Sequence, residues 1–491
     1  MTEETVVRDK AVESICNILQ DIPEADVAQH VIPMLKRLVD ADLFPARISA
    51  CSLFVATYQK ARPEAHQEIH SFFSRLCRDE TPMVRRAAAS NLAKFATVLP
   101  ADTVSSDMFP LLMELTNDDQ DSVRLLAVES CGGLARLLLQ SQLSDMILPT
   151  IVNFSVDKSW RVRFNVAQQL VPLCEASGPE AAKKELVPIF LKLTSDHESE
   201  VRMAAAVQLV PIAKLVPKET VTEVLLPIVK TLASDTSAYV RSALSENVLH
   251  LCPVVGKDGT IAHIVPIFLN LLKDEVSEVR LKIISELEHI SHVIGIETIA
   301  QSLVPAIQDL AADSHWRVRL AIIGHVPLLA RQLGVQLFQE MLGAQCMAWL
   351  EDKVYSIREA ATKTLAAVAH EFGDAWVKNL MEKVVQMSTN PHYLYRLSIL
   401  WTLRELAKEV SQDTLCGQIL PIVVQCAADR VANVKFNAAK VLDFISTLVD
   451  RSVVESVIKP CLDRLMEDED FDVKFNAHNA LLTCQGVMAG G

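Results

Sequence analysis

The chain has 491 residues, half of them apolar, and only 14 glycines. So little glycine starves it of the turns that a β-protein or a nucleotide-binding α/β protein needs, which favours a mostly helical fold. A formal charge of −14 and a pI near 5.5 argue against nucleic-acid phosphate or an anionic membrane as the main partner.

The first segment, MTEETVVRDK, is acidic and polar, unlike a signal or transit peptide. Its Arg8 opens a series in which a basic residue follows an apolar one: Arg8, Arg47, Arg85, Arg124, Arg163, Arg202, Arg241, Arg280, Arg319, Arg358, Arg396, Lys435 and Lys474. The steps are 39 residues, except two of 38. Six residues before most of these stands an acid, at Asp79, Asp118, Asp157, Asp196, Asp235, Asp274, Asp313 and Asp352, then Asn390, Asp429 and Asp468. A proline keeps the same step at Pro110, Pro149, Pro188, Pro227, Pro266 and Pro305, and again at Pro421 and Pro460. Three markers in one register define a repeat protein. Only seven residues precede Arg8, so half a repeat is expected at 1–22, then twelve repeats in a single solenoid to residue 484. A short flexible tail is expected over 485–491.

Residues 185–216 illustrate one repeat. The run 186–194 predicts an apolar helix A, bent or begun at Pro188. A polar turn from Asp196 follows. Val201, Ala205 and Leu209 then form one stripe of an amphipathic helix B, as do Val162, Val166 and Leu170 before them and Val240, Leu244 and Val248 after. So small a helix pair cannot bury its apolar faces alone, and successive pairs are expected to stack into an all-α, curved solenoid over ~100 Å long. The turn acids are expected to satisfy free N–H groups of helix B and to form a ladder with the basic series.

Fragments resembling chemical sites do not complete one. His66 and His70 have the i, i+4 spacing of a helical zinc pair, but Glu68 is one place too late for H-E-x-x-H and no third ligand is evident nearby. Gly256-Lys-Asp-Gly259 reads as a turn, and His289 with His292 as an i, i+3 pair on a helix. Asp468, Asp470 and Asp472 copy the first ligands of a calcium loop, yet Val473 and Asn479 fill its glycine and glutamate positions. The 11 cysteines never form C-x-x-C and read as free thiols of a reducing compartment, cytosol or nucleus. No uninterrupted apolar run reaches the ~18–20 residues of a membrane span. Neither an enzyme, a cofactor nor a metal is expected.

The turns carry the signal instead. Three residues before each basic marker stand Thr5, Phe44, Pro82, Asp121, Trp160, Ser199, Ala238, Ser277, Trp316, Tyr355, Tyr393, Ala432 and Phe471. Aromatics are 5% of the chain but six of these 13 positions, four of them in the last five repeats. Rings held in turns by a rigid scaffold are typical interface anchors, and Trp160-Arg161 and Trp316-Arg317 add a guanidinium to each.

The period, the turn Asp, the Val-Arg pairs and the helix-A proline resemble HEAT repeats. The strings TPMVRRAAAS (81–90), DSVRLLAVES (121–130), DKSWRVR (157–163), WRVRLAII (316–323), CMAWL (346–350) and IREAAT (357–362) are similar to the family of HEAT-repeat scaffolding subunits of serine/threonine protein phosphatase 2A. The likeness runs from the second half of that family's third repeat onward. It implies a heterotrimer component that assembles a phosphatase. The catalytic subunit would sit on Trp316, Arg317, Tyr355, Tyr393, Val431, Val434 and Phe471. An exchangeable regulatory B-type subunit would sit on Phe44, Pro82, Arg85, Arg86, Trp160 and Arg161. Leu43 stands where the family pattern has a tryptophan, and the first two and a half repeats are missing, which is expected to weaken regulatory-subunit binding. The alternative is a karyopherin-like transport receptor binding basic cargo, whose repeats vary more in length and whose binding would be strongly salt-sensitive.

Overall fold

A computed structural model describes residues 4–291, 293 and 299–489, and among them there are helices and turns but no strand. The chain divides into two compact units, residues 1–267 and 268–491. Each is a row of helix pairs.

Every one of the 13 aligned turn positions is the first residue of a B helix. In the first unit, Pro82–Ala96, Asp121–Ala135, Trp160–Ala181 and Ser199–Leu215 each pack on the next. In the second, the row runs through Trp316–Met341, Tyr355–Phe372, Tyr393–Leu406, Ala432–Ser446 and Phe471–Ala489. The predicted stripes form the core: Val162, Val166, Leu170, Val201, Ala205, Leu209, Val240, Leu244 and Val248 are fully buried. The last helix runs on to Ala489, through most of the segment expected to be a flexible tail.

The helix-A proline has a consistent local effect. Nine times a five-residue π-turn ends two residues before it, for example Ala182–Leu186 before Pro188 and Leu415–Ile419 before Pro421. Proline has no N–H for the i−4 carbonyl and its ring crowds that carbonyl, so the preceding turn widens. The A helices Pro63–Cys77, Gly343–Trp349 and Asp374–Ser388 lack a proline at this place and carry no π-turn.

Helix B leaves its axis in one of two ways. At Gly178, Gly256, Gly334 and Gly373 the backbone turns through a φ of 73–77° with ψ near 180°, open only to glycine. Elsewhere a residue in extended conformation makes the turn, at Pro23, Arg62, Pro100, Leu139, Pro217, Ser411 and Asp450. Two stretches, Val248–Leu272 and Trp316–Met341, are long and apolar enough to cross a membrane by composition, which an uninterrupted apolar run did not reveal. Gly256 breaks the first and Gly334 the second, so neither is one straight rod.

Candidate functional site

The ridge of turns entering the B helices is built on the expected ladder. Within each turn the Asp carboxylate accepts the N–H two residues on, as Asp157 does from Ser159 at 2.8 Å and Asp352 from Val354 at 2.8 Å. The basic residue six places later donates Nη1 back to that Asp's own carbonyl and reaches the next repeat's Asp with Nε and Nη2. In the first unit Arg47–Asp79, Arg85–Asp118, Arg124–Asp157, Arg163–Asp196 and Arg202–Asp235 pair at 2.5–2.8 Å. In the second, Arg280–Asp313, Arg319–Asp352 and Arg396–Asp429 pair at 2.6–2.9 Å, and Lys435 bonds Asp468. These pairs are nearly buried, and bidentate geometry makes them strong.

Their electrostatics follow. Burial pushes the Asp157, Asp196, Asp235 and Asp429 carboxyls up, but the facing guanidinium and the turn N–H outweigh it and hold each below the ordinary carboxylate value. The Asp157 carboxylate in turn raises Arg124. Asp374 lies outside the ladder: burial raises it, yet the Ser411 N–H, the Thr414 hydroxyl and Lys378 bring it down to about 2.

On this frame the candidate anchors sit at helix starts. In the second unit Tyr355 is 52% and Phe471 76% exposed, Tyr393 is exposed, and Trp316 and Val431 are half-buried. The Arg317 guanidinium lies over the Trp316 ring at 4.6 Å. Tyr355 meets Trp401 edge-on at 5.4 Å, and Phe471 stacks on Phe475 at 6.3 Å. In the first unit Phe44 is exposed, Pro82 half-buried and Arg86 exposed, while the exposed Arg161 covers the Trp160 ring at 5.1 Å.

Two residues expected on the surface are not available there. Val434 is 0% exposed because it starts the core stripe of its B helix, as Val162 and Val201 do in theirs. Arg85 is a ladder member, its fork filled by Asp118. Conversely, Trp401 and Phe475 escaped the sequence reading, which followed only the first position of each B helix. Phe475 lies one turn beyond Phe471, and Trp401 one period plus two turns beyond Tyr355, so extending the register along the helix would have found both.

The fragments set aside as chemistry have structural places. Tyr58 stacks on His66 at 3.9 Å and on His70 at 5.3 Å, within a cluster that includes Phe95. Asp468 and Asp470 spend their carboxylates on N–H groups of their own turn, and Asp468 also on Lys435. His289 lies 3.3 Å from Glu286, and His292 falls outside the described residues.

Residues 179–256 and 257–334 match the PPP2R1A-like HEAT repeat family, and residues 2–180 match the sister chromatid cohesion protein PDS5 family. Curated relatives include a protein phosphatase 2A scaffold subunit from Dictyostelium discoideum, 46% identical over 22% of this chain and 19% of its own length. The alpha isoform of the 65 kDa regulatory subunit of phosphatase 2A from Arabidopsis thaliana is 49% identical over 20% of this chain and 16% of its own length. The beta isoform of Rattus norvegicus is 50% identical over 21% and 17%. Each alignment thus spans less than a fifth of the relative. Among solved structures, yeast importin-β (Kap95p) superposes with a TM-score of 0.60 at 15% identity, over 97% of this chain and 65% of that one. Kap121p bound to Nup53p gives 0.66 at 16%, over 94% and 49%. At such identities these two likenesses show a shared helical-repeat fold alone.

Proposed function

From the likeness to phosphatase 2A scaffold subunits, we propose that this chain is a non-catalytic scaffold for a serine/threonine phosphatase. It holds the catalytic subunit on the turn ridge of residues 268–491 and an exchangeable regulatory subunit on that of residues 1–267. The observation that carries the reading is the row of exposed or half-exposed rings at the first position of four of the last five B helices: Trp316, Tyr355, Tyr393 and Phe471. Their backbone is fixed by the buried ladder, so little ordering entropy is lost when a partner covers them. Val431 borders this surface. On the other ridge the accessible groups are Phe44, Pro82, Arg86, Trp160 and Arg161. The scaffold does no chemistry; it raises the effective concentration of the two subunits for each other. A reducing compartment, cytosol or nucleus, suits its free, mostly buried thiols.

A sizing column tests this. The parent chain is expected to co-elute with the phosphatase catalytic subunit, and a Trp316→Ala/Tyr393→Ala double variant to elute apart from it. A folded parent that elutes apart from the catalytic subunit would overturn the reading. The transport alternative has no specific observation in its favour, because the importin likeness extends to the fold only.

A further inference from the structure

The ladder of the second unit has one break. Arg358 occupies a ladder position and is only 5% exposed, and its Nη1 donates to the Asp352 and Lys353 carbonyls at 2.8 and 3.2 Å, as its equivalents do. The residue in the facing turn, however, is Asn390. Its Oδ1 accepts the His392 N–H at 2.9 Å, which preserves the turn. Its Nδ2, standing where an aspartate has its second oxygen, donates to Glu351 at 3.2 Å, and its Oδ1 makes no bond to Arg358. Among the described residues no carboxylate lies within ion-pair distance of Arg358; its Nε is buried without a partner and its Nη2 makes no hydrogen bond. Asp352, the acid of its own turn, is engaged by Arg319.

Spacing does not explain the break. Arg47 and Asp79 are also 32 residues apart and pair at 2.8 Å. The cause is residue type alone. An uncompensated guanidinium held out of water is unfavourable, and the planar fork that it presents fits a carboxylate. The break also lies within the exposed ridge: the Arg358 guanidinium carbon is 5.9 Å from the ring centre of Tyr355, and Tyr393 begins the next B helix.

We propose that Arg358 is a socket for a carboxylate carried by the catalytic-subunit partner, an aspartate or glutamate side chain that completes the ladder from outside. The proposal rests on the reading that this ridge binds that subunit. The partner's acid meets the open Nη2 edge of the fork beside the Asn390 amide and supplies the charge that Asp313, Asp352 and Asp429 supply in neighbouring repeats, while Tyr355 and Tyr393 pack around its stem. The scaffold gives up one internal ion pair and gains a point of register that a rival apolar surface cannot satisfy.

The test uses the full chain and two readouts: the Tm of the free scaffold and its Kd for the catalytic subunit. Asn390→Asp supplies the missing carboxylate from within. It is expected to raise the Tm and weaken binding about tenfold or more, a typical scale for losing one desolvated charge pair. Arg358→Met is expected to weaken binding similarly, with a Tm no lower than the parent's. Binding within twofold of the parent in both variants would overturn the socket. Should the parent itself fail to bind, the scaffold reading falls separately, and the socket is then read on the free chain. Sodium acetate is expected to raise the Tm of the parent over sodium chloride at equal ionic strength, and not that of Asn390→Asp; equal responses would overturn it.

Discussion

Single residues set how this protein responds to acid. Burial holds His70 below the ordinary imidazole value, with Asp107 opposing in part, and burial does the same to His325. The unfolded chain therefore takes up protons at these sites first as pH falls through about 6.5, and stability declines. The ladder carboxyls of Asp157, Asp196, Asp235, Asp429 and Asp468 are held low, so their contribution is complete above about 4 and is lost as pH falls further. Urea midpoints are expected to be flat above pH 7, to fall modestly toward pH 5 and to collapse below 4. His70→Phe should flatten the modest step. A midpoint unchanged between pH 7 and 5 in the parent would show that the two histidines do not titrate with folding.

Among elements, the B-to-A turn made by glycine is the most demanding. Gly178 has φ +76° and ψ 166°, a region where an L side chain is strained although a Cβ there would meet nothing within 4 Å. Gly178→Ala is expected to cost ~1–3 kcal/mol through backbone strain alone, whereas Gly324→Ala, within a helix and equally unobstructed, should stabilise slightly. Denaturant titration of the two variants separates strain from crowding; equal shifts would refute the distinction. The element scale is also where the sequence was most legible. The period placed the start of every B helix, because the turn aspartate, the basic marker and the core stripe are bound to one register. The proline marker foretold a bend but not its form, since widening to a π-turn depends on the carbonyl four residues back. Val434 was placed on the surface by its position in the family pattern, although as the third residue of its B helix it already faces the core. The break at Asn390 was visible as a letter out of series; its consequence needed the geometry, in which neither end of the amide bonds Arg358.

At the scale of the whole molecule, each unit is held by contacts between neighbouring repeats, so stability is a sum of local contributions and damage stays near its source. Asp157→Asn keeps an acceptor for the Ser159 N–H and removes the partner of Arg124, at a cost of about 3 kcal/mol. It is expected to lower and broaden the unfolding transition seen by circular dichroism. Tryptophan fluorescence should move far less, because Trp316, Trp349, Trp376 and Trp401 lie in the other unit and only Trp160 in this one. Coincident shifts of both signals would mean that the chain unfolds as one cooperative body. The ladder has a consequence for heredity as well. Each arginine in the regular part of the series recognises the aspartate 33 residues ahead, whichever repeat supplies it. Excision of residues 125–163 would bring Asp196 to the place of Asp157 before Arg124, and the new joint would have the chemistry of the two it replaced. A gene for such a chain can gain or lose length in whole periods, in frame, and still encode satisfied interfaces. A loss that a helix pair cannot absorb, as the one-residue-shorter step from Arg47 to Asp79 is absorbed, strands a guanidinium among apolar side chains.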